Sequence, residues 1–451
     1  MAMPRLPHQF VVIFVFLAIL IGYAVMAFNF PIAYIWATYE DLIGEWSQTY
    51  FFLAASLVAG SVALQNSRYR WFFVLFALAG LYVVLEEISW GQRIFGFSTP
   101  DFLKEHNLQG EANLHNLFTG PYSTILKDAL SIAVAIGLIT YGLIFPLALS
   151  LRCRAARFLD SKGVAAPPLI LWPLFSTAAF FELKPLSFNE AEIAELLVAL
   201  AVAATALHYN FSIRREISPI RDATWIRNDS LVFGRWLICM IVTIAVLSGI
   251  TTVRFYSSPI NKAKVDGRIE RGMEKFAGRY VRHDRCDTAN DLYLRLLESQ
   301  PDRVSLLRRI AKCYQVMGQV DLFNDYVQLA IQIDLLTFAS EPWRASVNRS
   351  LVRSYRLAGD LETADEHLER ALTIGFKRID ENPHSAKAAY SLGRTLMLAN
   401  RTGEALEQLT IAHESDRSSS KYRKAYYAAR HKHTRLYPVE SVAEIGLQHH
   451  E

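Results

Sequence analysis

Long apolar runs before residue 257 constrain the fold of this chain more than any other feature. The hydrocarbon core of a bilayer is about 30 Å thick, so a helix needs roughly 20 mostly apolar residues to cross it. Seven segments reach or approach that standard: Phe10–Phe28, Trp46–Leu64, Trp71–Trp90, Ala129–Leu151, Val164–Phe181, Glu190–Tyr209 and Trp236–Tyr256. We therefore predict an all-α fold in which residues 1–258 form a polytopic transmembrane helix bundle of about seven spans.

The charged residues crowd into the remainder of the chain, which predicts a second, soluble domain. Over all 451 residues, 52% are hydrophobic and 20% are charged. That mixture is too apolar for an average soluble protein and too charged for membrane helices alone. The formal net charge of +4 is small, and the sequence contains no dense basic stretch. We therefore expect no nucleic acid among the partners.

The fifth apolar segment is short and carries Pro167, Pro168 and Pro173. Proline removes a backbone donor that lipid cannot replace, so a broken helix is expected there. Neighbouring helices then have to satisfy the carbonyl groups that the break frees.

The distribution of Lys and Arg predicts the orientation, because cytoplasmic loops of membrane proteins are enriched in both. One set of loops holds Arg5, Arg68, Arg70, Arg152, Arg154, Arg157, Lys162, Arg214, Arg215, Arg221, Arg227 and Arg235; the opposite set holds Arg93, Lys104, Lys127 and Lys184. We expect a multi-pass inner-membrane protein with a cytoplasmic N-terminus and a periplasmic C-terminal domain. Val25-Met26-Ala27 also passes as a signal-peptide cleavage site, which leaves the later topology unchanged.

The soluble part shows a repeating pattern of small and large apolar residues, typical of paired helices that meet closely. The copies read Leu392, Gly393, Leu396, Ala405, Leu409 and Ala412; Leu351, Tyr355, Gly359, Ala364, Leu368 and Ala371; Ile310, Ala311, Tyr314, Gly318, Val327 and Ala330; and, degenerate, Ala277, Tyr280, Ala289, Tyr293 and Pro301. These residues resemble the tetratricopeptide repeat (TPR) family, at roughly its 34-residue period with a longer linker around 336–345.

The resemblance implies a TPR-like α-solenoid whose concave surface holds a peptide or a partner protein. The resemblance covers about residues 270–419, and residues 421–436 are expected to form a capping helix, so the predicted repeat domain spans 270–436. Residues 259–269 are then a linker and residues 437–451 a tail. Cys286 and Cys313 fall in this domain; a bridge between them is open, but buried free thiols are the commoner state.

Acidic residues at membrane depth form the first candidate site. Glu86 and Glu87 lie at the outer end of the third apolar segment, and Glu195 lies inside the sixth. Carboxylates at such depth are costly and usually face a cavity or a partner. If the third helix continues, Arg93 shares a face with Glu86. These four residues are the candidate catalytic groups.

An external segment, 91–122, is expected to re-enter the membrane or to lie at its interface. Glu111 and His115 are four residues apart and would share one helix face, and His106 could supply a third ligand. Carboxylate and imidazole groups suit zinc or another divalent ion. The asparagines around them fit a hydrogen-bonded scaffold equally well, so a divalent metal ion stays one of two alternatives.

Two functions are favoured by these features; a transporter is a third option, because a proline-broken helix beside intramembrane carboxylates also suits an ion path, but no internal repeat of the membrane half supports it. The first is a bacterial inner-membrane scaffold or assembly protein that presents its repeats to an envelope protein. The second is an outer-leaflet enzyme, a metal-dependent hydrolase or glycosyltransferase-like protein, acting on a membrane lipid or lipid-linked glycan. Residues 86–116 resemble uncharacterised bacterial multi-pass membrane proteins, and that resemblance implies no activity. Glu40 and Asp41 match the acidic pair of C-type glycosyltransferases by analogy. The sequence contains no GxSxG, HExxH or P-loop motif.

Overall fold

The computed structural model describes residues 8–39, 41–95, 97–100, 112, 123–217, 223–417 and 419–436. Within these ranges all regular secondary structure is helical, as predicted. Most of the predicted external segment and the predicted tail lie outside the described residues. The chain divides into two compact units, Met1–Phe276 and Ala277–Glu451. They are called the membrane unit and the repeat unit below.

Twelve α-helices begin in the described part of the membrane unit. They are α1 (His8–Asn29), α2 (Pro31–Thr38), α3 (Ile43–Gln65), α4 (Arg70–Glu87), α5 (Gln92–Phe95), α6 (Ser123–Ile139), α7 (Phe145–Ser150), α8 (Arg154–Ser161), α9 (Trp172–Glu182), α10 (Glu190–Ile217), α11 (Ala223–Tyr256) and α12 (Pro259–Arg282). The π-helical turn Thr140–Ile144 joins α6 to α7. Residues 259–269, expected to be a linker, form the first turns of α12.

Five helical segments are long and apolar enough to cross a membrane, rather than seven. They are Val11–Asn29, Pro31–Gln65, Asp128–Ser150, Glu190–Ser212 and Val232–Tyr256. The predicted third span, α4, carries three charged residues, one at its start and two at its end. The predicted fifth span is reduced to the apolar helical segment Leu169–Glu182, which is too short to cross a membrane without the non-helical residues 164–168 before it.

The break in the fifth segment lies where the prolines predict it. Residues 164–168 are non-helical, and α9 begins with Pro173 in its first turn. The carbonyl oxygen of Ala165 accepts a hydrogen bond of 3.1 Å from the Tyr141 hydroxyl, and that of Ala166 accepts one of 3.0 Å from the Tyr209 hydroxyl. Two neighbouring helices therefore satisfy carbonyl groups that the break exposes.

Helix α3 lies at the centre of the membrane unit, against α4, α10 and α11. Small side chains allow the close approach, because a Cβ atom on Gly80 would collide with the Oγ of Ser56. Fully buried Ala59 and Ala206 lie in the same apolar cluster as Phe73. Such contacts are typical of helices that pack within a membrane, where close van der Waals contact replaces hydrophobic driving force.

The loops before α4 and after α8 meet at one end of this unit. Asp160 accepts hydrogen bonds from Arg68 at 2.5 Å and from the Tyr69 hydroxyl at 2.8 Å. The indole nitrogen of Trp71 donates to the Lys162 carbonyl oxygen at 2.8 Å. Two of the arginine-bearing loops therefore lie at one end of the bundle, and the far ends of α3 and α4 lie at the other.

Eight helices follow in the described part of the repeat unit. They are α13 (Cys286–Ser299), α14 (Val304–Val316), α15 (Val320–Ser340), α16 (Ala345–Ala358), α17 (Leu361–Glu381), α18 (Ala386–Leu398), α19 (Thr402–Ser415) and α20 (Ser420–Leu436). Neighbouring helices pack in sequence, and α14–α15, α16–α17 and α18–α19 form successive pairs. Helix α20 covers the range expected for the capping helix.

The helix pairs recur at intervals of 41 residues, not about 34. First helices begin at Val304, Ala345 and Ala386, and second helices at Val320, Leu361 and Thr402. The extra residues do not form a linker around 336–345, because they lengthen the second helices α15 and α17 to 21 residues each. The apolar positions that defined the repeats are buried; Ala330, Ala371 and Ala412, one interval apart, have no exposed surface.

The turn inside each pair is also repeated at the same interval. Gly318, Gly359 and Asn400 all have a left-handed backbone, with φ of 72°, 87° and 59°. Glycine and asparagine are the residues that adopt this conformation at low cost, and it ends a helix by turning the chain away.

Candidate functional site

A buried charged cluster lies beside the start of α3. Asp41 and Glu45 both pair with Arg93, whose Nη1 lies 3.0 Å from the Oδ1 of Asp41. Arg268 on α12 forms a second ion pair with Asp41. The Asp41 and Glu45 side chains are 4% and 9% exposed, so their charges depend on the two arginines rather than on water.

Gln48, one turn further along α3, joins two of the predicted catalytic residues. Its Nε2 donates to the Oε1 of Glu87 at 3.2 Å and to the Oε2 of Glu195 at 2.9 Å. Glu87 also contacts Glu45 through their carboxyl groups. Glu87, Arg93 and Glu195 therefore belong to one polar network with Glu45 and Gln48. Gln48 is buried, whereas Glu195 is exposed.

Glu86 does not share a face with Arg93, because helix α4 does not continue. The chain leaves α4 through Ser89, Trp90 and Gly91, which have φ of 48°, 52° and 90°. This left-handed turn sends Arg93 toward α3. Glu86 accepts a hydrogen bond of 2.6 Å from the Trp90 indole nitrogen, which accounts for its buried carboxylate without a catalytic role.

The sequence did not single out Glu45, Gln48 or Arg268 as site residues. Glu45 and Gln48 are three residues apart near the start of an apolar helix. This spacing places both side chains on one helix face and is a local signal for a polar site. The sequence relates Asp41 only to its neighbour Glu40, as an acidic pair in a loop, and Glu40 lies outside the described residues. Arg268 lies in the segment expected to be a linker, and nothing local in the sequence relates it to Asp41.

Glu190 has a structural role at the start of α10. Its Oε1 accepts hydrogen bonds from the backbone nitrogens of Leu186 at 2.6 Å and Ser187 at 2.7 Å, and its Oε2 from that of Phe188 at 2.5 Å. Such charge-assisted bonds hold the preceding loop in place. The exposed Glu195, one and a half turns later, has no equivalent backbone contacts among the described residues.

The three predicted metal ligands His106, Glu111 and His115 lie outside the described residues. In the ranges that are described, no group of three His, Cys, Asp or Glu side chains is arranged to hold a metal ion. The charged cluster contains carboxylates, but its two arginines already supply the positive charge.

The repeat unit carries a second candidate site, an open cavity of about 500 Å³. Cations dominate its lining, which includes Arg308, Arg309, Lys312, Arg353 and Arg356. All five residues fall within α14 and α16, so the cavity lies on two consecutive first helices. A surface of this charge can bind an anionic group.

Arginines on the first helices reach the next first helix along the chain. Arg308 Nη1 donates to the hydroxyl oxygens of Ser350 and Ser354 at 3.0 and 2.9 Å. One repeat later, Arg349 Nη1 donates to the Thr395 hydroxyl at 3.0 Å. The same donor also bonds to the carbonyl oxygen of Ser391 at 3.1 Å. These bonds connect α14 to α16 and α16 to α18 on one face.

Cys286 and Cys313 are free thiols, and both are buried. Burial, together with the neighbouring Cys286, raises the pKa of the Cys313 thiol above its ordinary value. These thiols are therefore packed side chains and not reactive groups.

Comparison with known proteins finds similarity to solved structures. No protein-family model matches the chain, and no curated protein matches it. The crystal structure of a thermophilic TPR protein from Thermus thermophilus is similar over 37% of this chain and 84% of its own length. The identity is 22% and the TM-score is 0.22.

Proposed function

We propose that this chain is a bacterial inner-membrane scaffold or assembly protein that presents an extracytoplasmic, TPR-like helical-repeat domain to a partner protein of the cell envelope. One observation carries the proposal: the repeat unit has an open, cation-lined cavity on regularly spaced helices, in a chain that also has five helices apolar enough to cross a membrane. Tandem helix pairs with an exposed face are suited to holding an extended partner.

The proposed sidedness has the arginine-rich loops in the cytosol and the repeat unit in the periplasm. It requires α4 and the segment 164–182 to cross as well, which restores the seven spans. An 18-residue helix such as α4 is about 27 Å long, and its charged residues lie only at its two ends. The contacts of Arg68 and Trp71 at one end, and of Glu87 at the other, support a crossing.

Thiol labelling tests the sidedness. Cys153 is exposed just after α7, beside the arginine-rich loop. In a chain whose other cysteines are replaced by serine, a membrane-impermeant maleimide should label Cys153 only in inside-out vesicles. Labelling from the periplasmic side of intact spheroplasts would contradict the orientation. A reporter fused after Ser419 should be active only outside the cytosol.

Site-specific photocrosslinking tests the scaffold function. A photoreactive residue at Ser305, which lines the cavity, should capture a defined envelope protein from cells that express the full chain. The same residue at Lys377, on the second helix α17 and 75% exposed, is the matched control and should capture none. The absence of any adduct specific to Ser305 would overturn the proposal.

The polar network around Gln48 favours a second candidate, an outer-leaflet enzyme acting on a lipid or lipid-linked glycan. Glu195 is exposed yet lies inside an apolar helix, beside Glu87, as an acid or base would. Under this alternative, Glu195→Gln should alter the cell's lipid or lipid-linked glycan profile while the Ser305 crosslink persists. An unchanged profile would remove the enzyme alternative.

A further inference from the structure

Five cations on the first helices occupy corresponding positions in successive repeats. Arg308 and Arg349 are one 41-residue interval apart, as are Lys312, Arg353 and Arg394. These five residues are called the basic stripe. Since equivalent positions in tandem helix pairs lie on one face, the stripe runs across α14, α16 and α18.

Asp334 balances only part of the charge of the basic stripe, by an ion pair with Arg308 and by longer-range attraction to Arg353. Arg308 forms an ion pair of 3.3 Å with Asp334. In the described part of the chain, neither Arg349, Arg353, Arg394 nor Lys312 has an acidic group within ion-pair distance. Burial, with added repulsion from Arg394 and Arg353, lowers the pKa of Arg349 to about 10. Partly buried cations that repel one another would gain from an anionic ligand.

Hydrogen bonds hold part of the stripe in place before any ligand binds. Arg349 is fixed by Ser391 and Thr395, and Arg394 Nη1 donates to the Tyr390 hydroxyl at 2.8 Å. A guanidinium group has five N–H donors, so these bonds leave donors for a carboxylate. Side chains that are already ordered lose less conformational entropy when they bind.

The spacing of the stripe identifies the kind of anion. Packed helices lie about 8–10 Å apart. An extended peptide rises about 3.3 Å per residue, so one step from helix to helix corresponds to about three residues. Three of the stripe's cations, Arg308, Lys312 and Arg353, line the cavity, and Arg394 continues the same positions on the next repeat. The regular distribution favours an extended chain with regularly spaced carboxylates.

We infer that the basic stripe binds an extended acidic segment of the partner protein, with Asp or Glu at about every third residue. This inference rests on the proposed scaffold function and adds the chemistry of the bound segment. The acidic side chains would pair with Lys312, Arg353 and Arg394 in order along the repeats, and the peptide backbone would lie over the open cavity.

Binding of designed peptides to the full chain in phosphatidylcholine nanodiscs tests the inference. Two fluorescent 12-residue peptides share one composition of Glu, Gly and Ser. The first has Glu at every third position, and the second has its four Glu residues together. The spaced peptide should bind about tenfold more tightly, and its affinity should fall as salt is raised.

Charge reversal in the stripe provides the variants. Lys312→Glu, at an exposed side chain, and Arg353→Glu should each weaken binding of the spaced peptide by about tenfold or more. Lys377→Glu is the control and should leave binding unchanged. The double variant Lys312→Glu/Arg353→Glu should instead bind a peptide with Lys in place of Glu, a gain that misfolding cannot produce.

Each of the following results would overturn the inference. Equal binding of the two peptides would indicate a diffuse positive surface, and binding insensitive to Lys312→Glu would indicate another face. Tighter binding of inorganic polyphosphate than of the spaced peptide would indicate a non-peptide polyanion. If neither peptide binds but the Ser305 crosslink to an envelope protein persists, the acidic segment is refuted and the scaffold function is not. Loss of that crosslink would refute the scaffold function itself.

Discussion

Arg308 and Asp334 form a largely buried ion pair whose counterpart is missing in the next repeat. Their side chains are 12% and 6% exposed, and Nη1 lies 3.3 Å from Oδ2. At the position equivalent to Asp334, one interval later, the chain has Gly375, and Arg349 bonds to neutral oxygens instead. Burial raises the pKa of Asp334 and lowers that of Arg308, so each charge is held by its partner.

Arg308→Ala should therefore destabilise the repeat unit by about 3 kcal/mol, because it leaves the buried Asp334 carboxylate without its ion-pair partner. Arg349→Ala, at the matched position, should lower the stability of the repeat unit by only about 1 kcal/mol, because it breaks hydrogen bonds and leaves no buried carboxylate without a cation. Alkylation of the buried Cys313 thiol, in a chain with Cys153 and Cys239 replaced by serine, measures the opening free energy. Equal labelling rates for both variants would show that the ion pair contributes little.

His367 should make the repeat unit less stable in mild acid. Its ring is buried, stacks on Tyr355 at 5.8 Å between centroids, and has Nδ1 3.0 Å from the Oδ1 of Asn348. Burial, with Arg370 nearby, lowers the His367 pKa below its usual 6.5. The fold favours the neutral ring, so the stability present above about pH 6.5 is lost as pH falls through the folded-state pKa.

Thiol labelling of Cys313 between pH 7.5 and 5, corrected for the intrinsic rate of alkylation, measures this effect. The His367→Gln variant should lose the part of the pH dependence that the histidine causes. Substitution of the exposed His384 by glutamine is the control and should leave the profile as it is. A His367→Gln profile that follows the parent chain would rule out the histidine as its source.

Gly393 should be intolerant of even one added methyl group. A Cβ atom there would meet Cγ of Leu409 at 2.6 Å and the Ala405 carbonyl oxygen at 3.3 Å. Gly393→Ala should destabilise the repeat unit by about 1–3 kcal/mol through overpacking. Gly403→Ala, where the nearest atom is His433 Cε1 at 4.0 Å, should be neutral or stabilising by up to about 1 kcal/mol. The same labelling assay compares them, and a stable Gly393→Ala variant would refute the close contact.

Arg93 should be essential for the stability of the membrane unit. Arg93→Gln leaves Glu45 buried without its cation and Asp41 with Arg268 alone, which should cost about 3 kcal/mol. Arg93→Lys should recover only part of this loss, because the Nη1 of Arg93 contacts both carboxylates and the ammonium of the shorter lysine side chain does not occupy that position.

The thermal unfolding midpoint of the detergent-solubilised chain tests the role of Arg93. Arg154→Gln removes an exposed arginine from the same unit and should shift the midpoint little. If Arg93→Gln and Arg154→Gln unfold at the same temperature, the charged cluster does not stabilise the unit.

Sequence patterns predicted features whose cause is local. The broken helix at Pro167 and Pro168 follows from a missing donor, and the buried Ala371 and Ala412 follow from spacing within one helix pair. The sequence indicated that Glu87 and Glu195 are carboxylates whose burial is costly and that each requires a polar partner. It did not indicate that the two residues share one. Gln48, which supplies that partner, is unremarkable as a sequence feature.

Features that depend on distant parts of the chain, or on rare conformations, could not be predicted in this way. The ion pair between Asp41 and Arg268 leaves no local pattern. The left-handed Trp90 is a rare conformation for a bulky residue, so the sequence favoured a continuous helix past Glu86. The 41-residue interval differs from the prediction because the extra residues lengthen α15 and α17, whereas a 34-residue period assigns them to a linker.

The fixed offset between each arginine and its hydroxyl acceptor limits how this array can change in length. Arg308 and Arg349 find their acceptors at the same sequence distance, so a change in the length of the helices between donor and acceptor would separate the pair that spans it. Adding or removing whole 41-residue modules preserves the distance between each arginine and its hydroxyl acceptor. An array built from such modules can therefore match bound segments of different lengths, while the contacts between adjacent modules stay the same.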